Sequence, residues 1–156
     1  MSTYDTDVLA WSEQQAGLLR RRAAGELVND TELDWPNIAE EIESVGRSER
    51  HALRSHIGTV LEHLIKLQAS PAVEPRNGWK ASIRTARRGI NRCLIDSPSL
   101  RREVADMVLD EMSDAKQDVA AGMKDYGEQP LVPIETLTFT DEQVTGTWFP
   151  DEPFPN

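Results

Sequence analysis

The sequence predicts an all-α fold, a mostly antiparallel bundle of four to five helices with a proline-rich C-terminal segment packed on it. Three observations predict it. Apolar residues recur at three- and four-residue spacing from residue 8 to residue 123, which places continuous stripes on helix faces. The amphipathic stretches are separated by short breaks that carry helix-capping and helix-stopping residues. After Tyr126-Gly127 the period is lost, and Pro130, Pro133, Pro150, Pro153 and Pro155 rule out a long helix or a central strand there. The expected organisation is a helical bundle over 1–126 and an extended segment with one short helical turn over 127–156, both within a single domain.

In chain order, Asp5-Thr6-Asp7 offers capping side chains for a first helix with Val8, Leu9, Trp11, Ala16, Leu18 and Leu19 on one side. Arg20-Arg21-Arg22 suits the negative end of its dipole, and Gly25 supplies a left-handed stop. Residues 27–33 form a connector with at most one helical turn, and Asp34 caps a long second helix with Pro36 in its first turn. That helix runs to Leu67-Gln68, and Ile38, Ile42, Val45, Leu53, Ile57, Val60, Leu61, Leu64, Ile65 and Leu67 make its stripe; Gly46 is a candidate bend.

A loop with two prolines and Asn77-Gly78 follows, so the next helix is expected to begin near Trp79. It carries Trp79, Ile83, Ala86, Ile90 and Leu94 on one face and Lys80, Arg84, Arg87, Arg88 and Arg92 on the other. Ser97-Pro98 reads as N-cap and first residue of a further helix with Leu100, Val104, Met107, Val108, Met112, Ala115, Val119 and Met123 on its core face. The opposite face holds Glu103, Asp106, Asp110, Glu111, Asp114 and Asp118, expected to lie beside the basic row of the preceding helix. In the tail, Thr140-Asp141-Glu142-Gln143 fits a capping box, and Trp148-Phe149 provides aromatic anchors.

Length, cysteine count and charge bound the function classes. A chain of 156 residues can bury one proper core. Cys93 is the only cysteine, which excludes an intramolecular disulfide or a thiolate cluster and fits a reducing compartment. With no leader-like start and no membrane-length apolar run, the expected location is the cytoplasm. The net charge of −10 is segregated: −7 over residues 1–46, +8 over 47–102 and −11 over 103–156. An acidic total weighs against nucleic acid as a partner and favours charge blocks that neutralise one another.

Candidate chemistry is sparse. Glu40, Glu41, Arg47, Arg50, His63 and Arg84 are the residues expected to converge in a polar network between helices, with fixing of helix register as its first reading and acid-base work as its second. His51, His56 and His63 share one helix, but no pair stands at i, i+4 and no Glu-x-x-His occurs; a metal there would need Asp110 or Asp114 from another helix. No metal or cofactor is expected. Cys93, beside Leu94, reads as a small hydrophobe rather than a nucleophile. No nucleophile elbow and no phosphate-cradling glycine loop is present. The leading function is therefore a non-enzymatic protein–protein interaction module, through self-association or a protein partner; the alternative is a small metal-dependent or acid-base enzyme using His56 or His63 with carboxylates between helices.

Several linked segments are similar to one family. They are Tyr4-Asp5 with Trp11, the run from Asn37 through Glu40-Glu41-Ile42-Glu43-Ser44-Val45-Gly46-Arg47 to Arg50, and His63 to Gln68. Trp79 with Ile83, Asp96 to Leu100, and Phe149-Pro150 complete the set. On these residues the chain resembles bacterial domain-of-unknown-function family 29 over nearly its full length. Leu67 stands where the resemblance leads one to expect an aromatic. The resemblance implies a helical bundle in a bacterial cytoplasm, and it implies no activity, so no catalytic residue carries over.

Overall fold

Six α-helices and no strand make up the regular structure of residues 2–154, the part of the chain that the computed structural model describes, together with three short 3-10 turns. Met1, Pro155 and Asn156, at the ends of the two expected segments, lie outside the described residues. Four of the helices are long, and the two short ones have four and five residues. The chain divides into two units, Met1–Ser48 and Glu49–Asn156. Among the described residues no helix is long and apolar enough to cross a membrane.

The first unit holds α1 (Thr3–Thr6), α2 (Val8–Ala23) and the start of α3 (Trp35–Ala69). Asp7 caps α2 by accepting the Ala10 N–H at 3.0 Å, and Gly25, at φ 83°, ends it as expected. A 3-10 turn at Asp30–Glu32 reverses the chain, so α2 lies antiparallel to the start of α3. The pairing is fixed by side chains. Trp11 Nε1–H donates to Asp34 Oδ2 at 3.0 Å, and Tyr4 O–H donates to Glu41 Oε1 at 2.7 Å. Buried Gln15 donates to the Glu32 carbonyl and accepts the Asp34 N–H, so neither end of its amide is left unpaired.

Trp11, Leu18, Leu33 and Ile38 form this unit's core, with Tyr4 edge-on to Trp11. Val8 and Leu9, expected on the packed side of the first helix, are exposed, and so are Ile42 and Val45 of the central stripe. Tyr4 meets α3 at Glu41, so the covering helices run out there while the stripe continues.

In the second unit α3 runs unbroken to Ala69, α4 (Arg76–Asp96) returns antiparallel, and α5 (Val104–Asp125) comes back parallel to α3. Ion pairs give the register: Arg50 meets Glu103 at 3.1 Å, and one turn on Arg54 meets Asp110 and Glu111 at 3.2 Å. Leu53, Ile57, Leu61, Leu64 and Ile65 of α3, Ile83 and Ile90 of α4, and the whole expected face from Leu100 to Met123 are buried together. Glu103, Asp110 and Glu111 of the acidic row thus pair with α3, not with α4 as the chain order predicts. The up-down-up path seats the first and third helices side by side.

Two helix starts also differ from expectation. α4 begins at Arg76, before Asn77-Gly78, because buried Arg76 donates to the Leu67 carbonyl and holds the first turn against the end of α3. The helix read from Ser97-Pro98 opens as a 3-10 stretch, Pro98–Glu103, and the Ser97 hydroxyl donates to Glu49 instead of capping. The C-terminal segment packs on this unit. Leu131 N–H donates to the Ala69 carbonyl at 2.7 Å, and Ile134, Phe139 and Val144 are buried. α6 (Asp141–Thr145) carries the expected Thr140/Gln143 capping box, and Trp148 and Phe149 anchor as expected.

Candidate functional site

The six candidate polar residues fall into separate arrangements. Glu40 and Arg47 pair at 2.5 Å on α3, and Arg47 also lies 3.8 Å from Glu43. Glu41 accepts the Tyr4 hydroxyl, which raises the pKa of that phenol because its ionised form would face a carboxylate. Arg50 meets Glu103, and His63 Nδ1 lies 2.8 Å from the Thr59 carbonyl of its own helix. Arg84 sits with its guanidinium 5.3 Å from the Phe149 ring centre.

The other reactive groups are engaged structurally. The His56 ring lies against Gly89 so closely that a Cβ there would come within 2.5 Å of it. Among the described residues no three His, Cys, Asp or Glu side chains come together as a metal site. Burial raises the Cys93 thiol pKa, with Glu49 and Asp96 adding to the effect, so the thiolate nucleophile is disfavoured. Asp34 is held below the usual carboxylate range, first by the Asn37 side chain and then by Trp11. Hydrogen bonds to Glu111 and then Asp110 raise the Arg54 pKa.

Arg76, Lys80, Arg84 and Arg87 of α4 meet the C-terminal segment. Arg76 Nε and Lys80 Nζ both hold Glu152, and these two cations push its carboxyl below the usual range. One turn past Ile83, Arg87 is buried, although its place in the basic row predicts an outer face. Its Nε donates to the Val144 carbonyl at 3.0 Å, and its Nη2 donates to the carbonyls of Gln143 and Trp148 at 2.7 and 2.5 Å. The guanidinium also lies 4.9 Å from the Phe149 ring centre. Burial lowers its pKa, and the like charge of Arg84 lowers it further. Signs of this tie were present in the sequence, where a basic row and an aromatic anchor were both legible, but nothing in the pattern joined them.

Beside Arg87 lies a groove of about 500 Å³, with Arg84, Arg88 and Asn91 of α4 on one side and residues 145–147 and Phe149 on the other. No acidic side chain lines it. Arg84 and Arg88 are exposed, and among the described residues neither they nor Arg87 pairs with a carboxylate.

The first unit presents a surface of the opposite character. Ile42 and Val45 continue the line of Ile38 with 68% and 65% of their surface exposed, while the unit buries only four apolar side chains. Glu40 precedes this apolar pair, Glu43 stands between its two members and Arg47 follows it.

A protein-family model, described as Domain of unknown function DUF29, matches residues 3–149. No curated protein and no solved structure matches the chain.

Proposed function

Since the chain belongs to the Domain of unknown function DUF29 family, which brings no activity with it, we propose that it is a non-enzymatic interaction module that pairs with a second copy of itself through the start of α3. The observation that carries this reading is the open stripe of Ile42 and Val45 on a 48-residue unit with four buried apolar side chains. A unit of that size buries too small a share of its surface to be stable unaided, and further apolar cover offsets the deficit. The flanking charges favour a copy of the same segment as the cover. Two antiparallel α3 helices crossing between Ile42 and Val45 set Glu40 of one beside Arg47 of the other, so the ion pair that each helix makes within itself is matched across a two-fold, self-complementary contact.

The setting proposed is a reducing bacterial cytoplasm, where Cys93 remains a thiol. The alternative, a metal-dependent or acid-base enzyme built on His56 or His63, draws on a groove that His56 shares with Glu49 and Asp96, but it is the weaker reading because the His63 ring is bonded to its own helix and the His56 ring is packed against Gly89.

Light scattering after size exclusion, together with native mass spectrometry, tests the pairing. The wild type is expected as a dimer and Ile42→Lys as a monomer that melts at a lower temperature, because the substitution leaves the core of the single chain intact but removes the cover that the second copy gives. A monomeric wild type at micromolar concentration, or an Ile42→Lys dimer, overturns the reading.

A further inference from the structure

We propose that the groove between α4 and residues 145–149 binds the phosphoryl group of a small ligand, with Arg84, Arg87 and Arg88 as its cationic wall and Phe149 as the seat for the rest of the molecule. The argument starts from charge. On a chain of net charge −10, Arg50, Arg54 and Arg76 each meet a carboxylate, yet three guanidiniums line this one cavity with no acid among them. Arg87 is already held in place by three carbonyls, so its position does not depend on a ligand. The like charge of Arg84 that disfavours its protonated form is the repulsion that a bound anion would relieve.

Guanidinium forks match phosphate oxygens in planar, bidentate fashion, and Asn91 and Thr147 add neutral donors at the rim. The volume of about 500 Å³ lies within the range of small-molecule sites and exceeds what a bare phosphate fills. An extended polyanion fits less well. A phosphate backbone would be repelled by the acidic remainder of the chain, whereas one phosphoryl group meets only the local field.

The test is calorimetric titration of the full chain at low chloride with inorganic phosphate and with phenyl phosphate. Saturable binding is expected, with phenyl phosphate the tighter because its ring reaches Phe149. Arg84→Ala and Arg88→Ala should each weaken binding by roughly tenfold, the scale of one charge-assisted hydrogen bond. Both residues are exposed, so the melting temperature of the unliganded variants should move little, Arg84→Ala losing at most its contact with the Phe149 ring, and Arg101→Ala, on the exposed side of the 3-10 stretch Pro98–Glu103, should bind as the wild type does. Absence of binding, or an Arg84→Ala/Arg88→Ala double variant that binds like the wild type, overturns the site. Equal affinity for the two probes overturns the role of Phe149. Tighter binding of a single-stranded oligonucleotide, with the steep salt dependence of many phosphate contacts, overturns the small ligand.

Discussion

Arg87 and Arg76 hold the same C-terminal segment by different chemistry, and acid separates the two. Arg87 grips backbone carbonyls, which do not titrate, so the tie to Gln143, Val144 and Trp148 persists as pH falls. Arg76 and Lys80 grip the Glu152 carboxylate, which they hold below its usual pKa. A carboxyl depressed in the folded state contributes stability that is fully present above the ordinary glutamate range and is lost as pH falls through the lowered value. Wild type and Glu152→Gln should therefore differ in melting temperature at neutral pH and converge in acid below the usual glutamate range. The difference should be small, because 41% of the Glu152 side chain is exposed and solvent screens the pair. A gap that stays constant down to that acid range would show that the carboxylate charge is not what holds the segment.

At the scale of elements, the approach of α3 to α4 depends on one missing side chain. Gly89 stands inside α4, where alanine would favour the helix by about 1 kcal/mol, yet an alanine Cβ would collide with the His56 ring. Gly89→Ala alone should lower stability by about 1–2 kcal/mol, the usual scale of overpacking less the helix gain. Combined with His56→Ala, the same alanine should become stabilising by about 1 kcal/mol relative to His56→Ala alone. Denaturant melts of the four proteins measure this, and equal effects of the alanine in both backgrounds would mean the ring moves aside freely.

Much of this level was legible in the sequence, as the eight α5-side residues from Leu100 to Met123 illustrate, since a core face and a 3.6-residue period are the same fact. Ile42 and Val45 share that period but are exposed, because periodicity records which face is apolar and not where the covering helices end. Arg87 sat on the polar side of its helix, yet its long stem lets the head reach carbonyls inside. Chain order pairs the acidic row of α5 with α4, its neighbour in sequence, and does not reveal that Glu103, Asp110 and Glu111 touch the non-adjacent α3. Of the six polar candidates, Glu40 with Arg47 is one local pair that spacing could yield; the partners Tyr4, Glu103 and Phe149 lie far away in the chain.

At the scale of the whole molecule, we propose that the two units unfold together as one domain. The first unit has four buried apolar side chains and no cysteine with which to cross-link them, too little to offset the ordering of 48 residues. Its last helix is also the first helix of the second unit, since α3 runs from Trp35 to Ala69 across the division at Ser48. Melting α3 at its start removes the helix against which α2 packs. Trp11 and Trp35 report on the first unit and Trp79 and Trp148 on the second, so variants retaining one tryptophan from each set can be followed by fluorescence. Both sets should melt at one midpoint, and for the wild-type dimer that midpoint should rise with protein concentration, because a partner that binds only the folded form stabilises it by mass action. Ile42→Lys should abolish the concentration dependence while leaving the two midpoints coincident. An earlier, separate transition at Trp11 would break the single domain into two. Coincident midpoints that never respond to concentration would keep the domain and remove the pairing, so the two proposals fail by different observations.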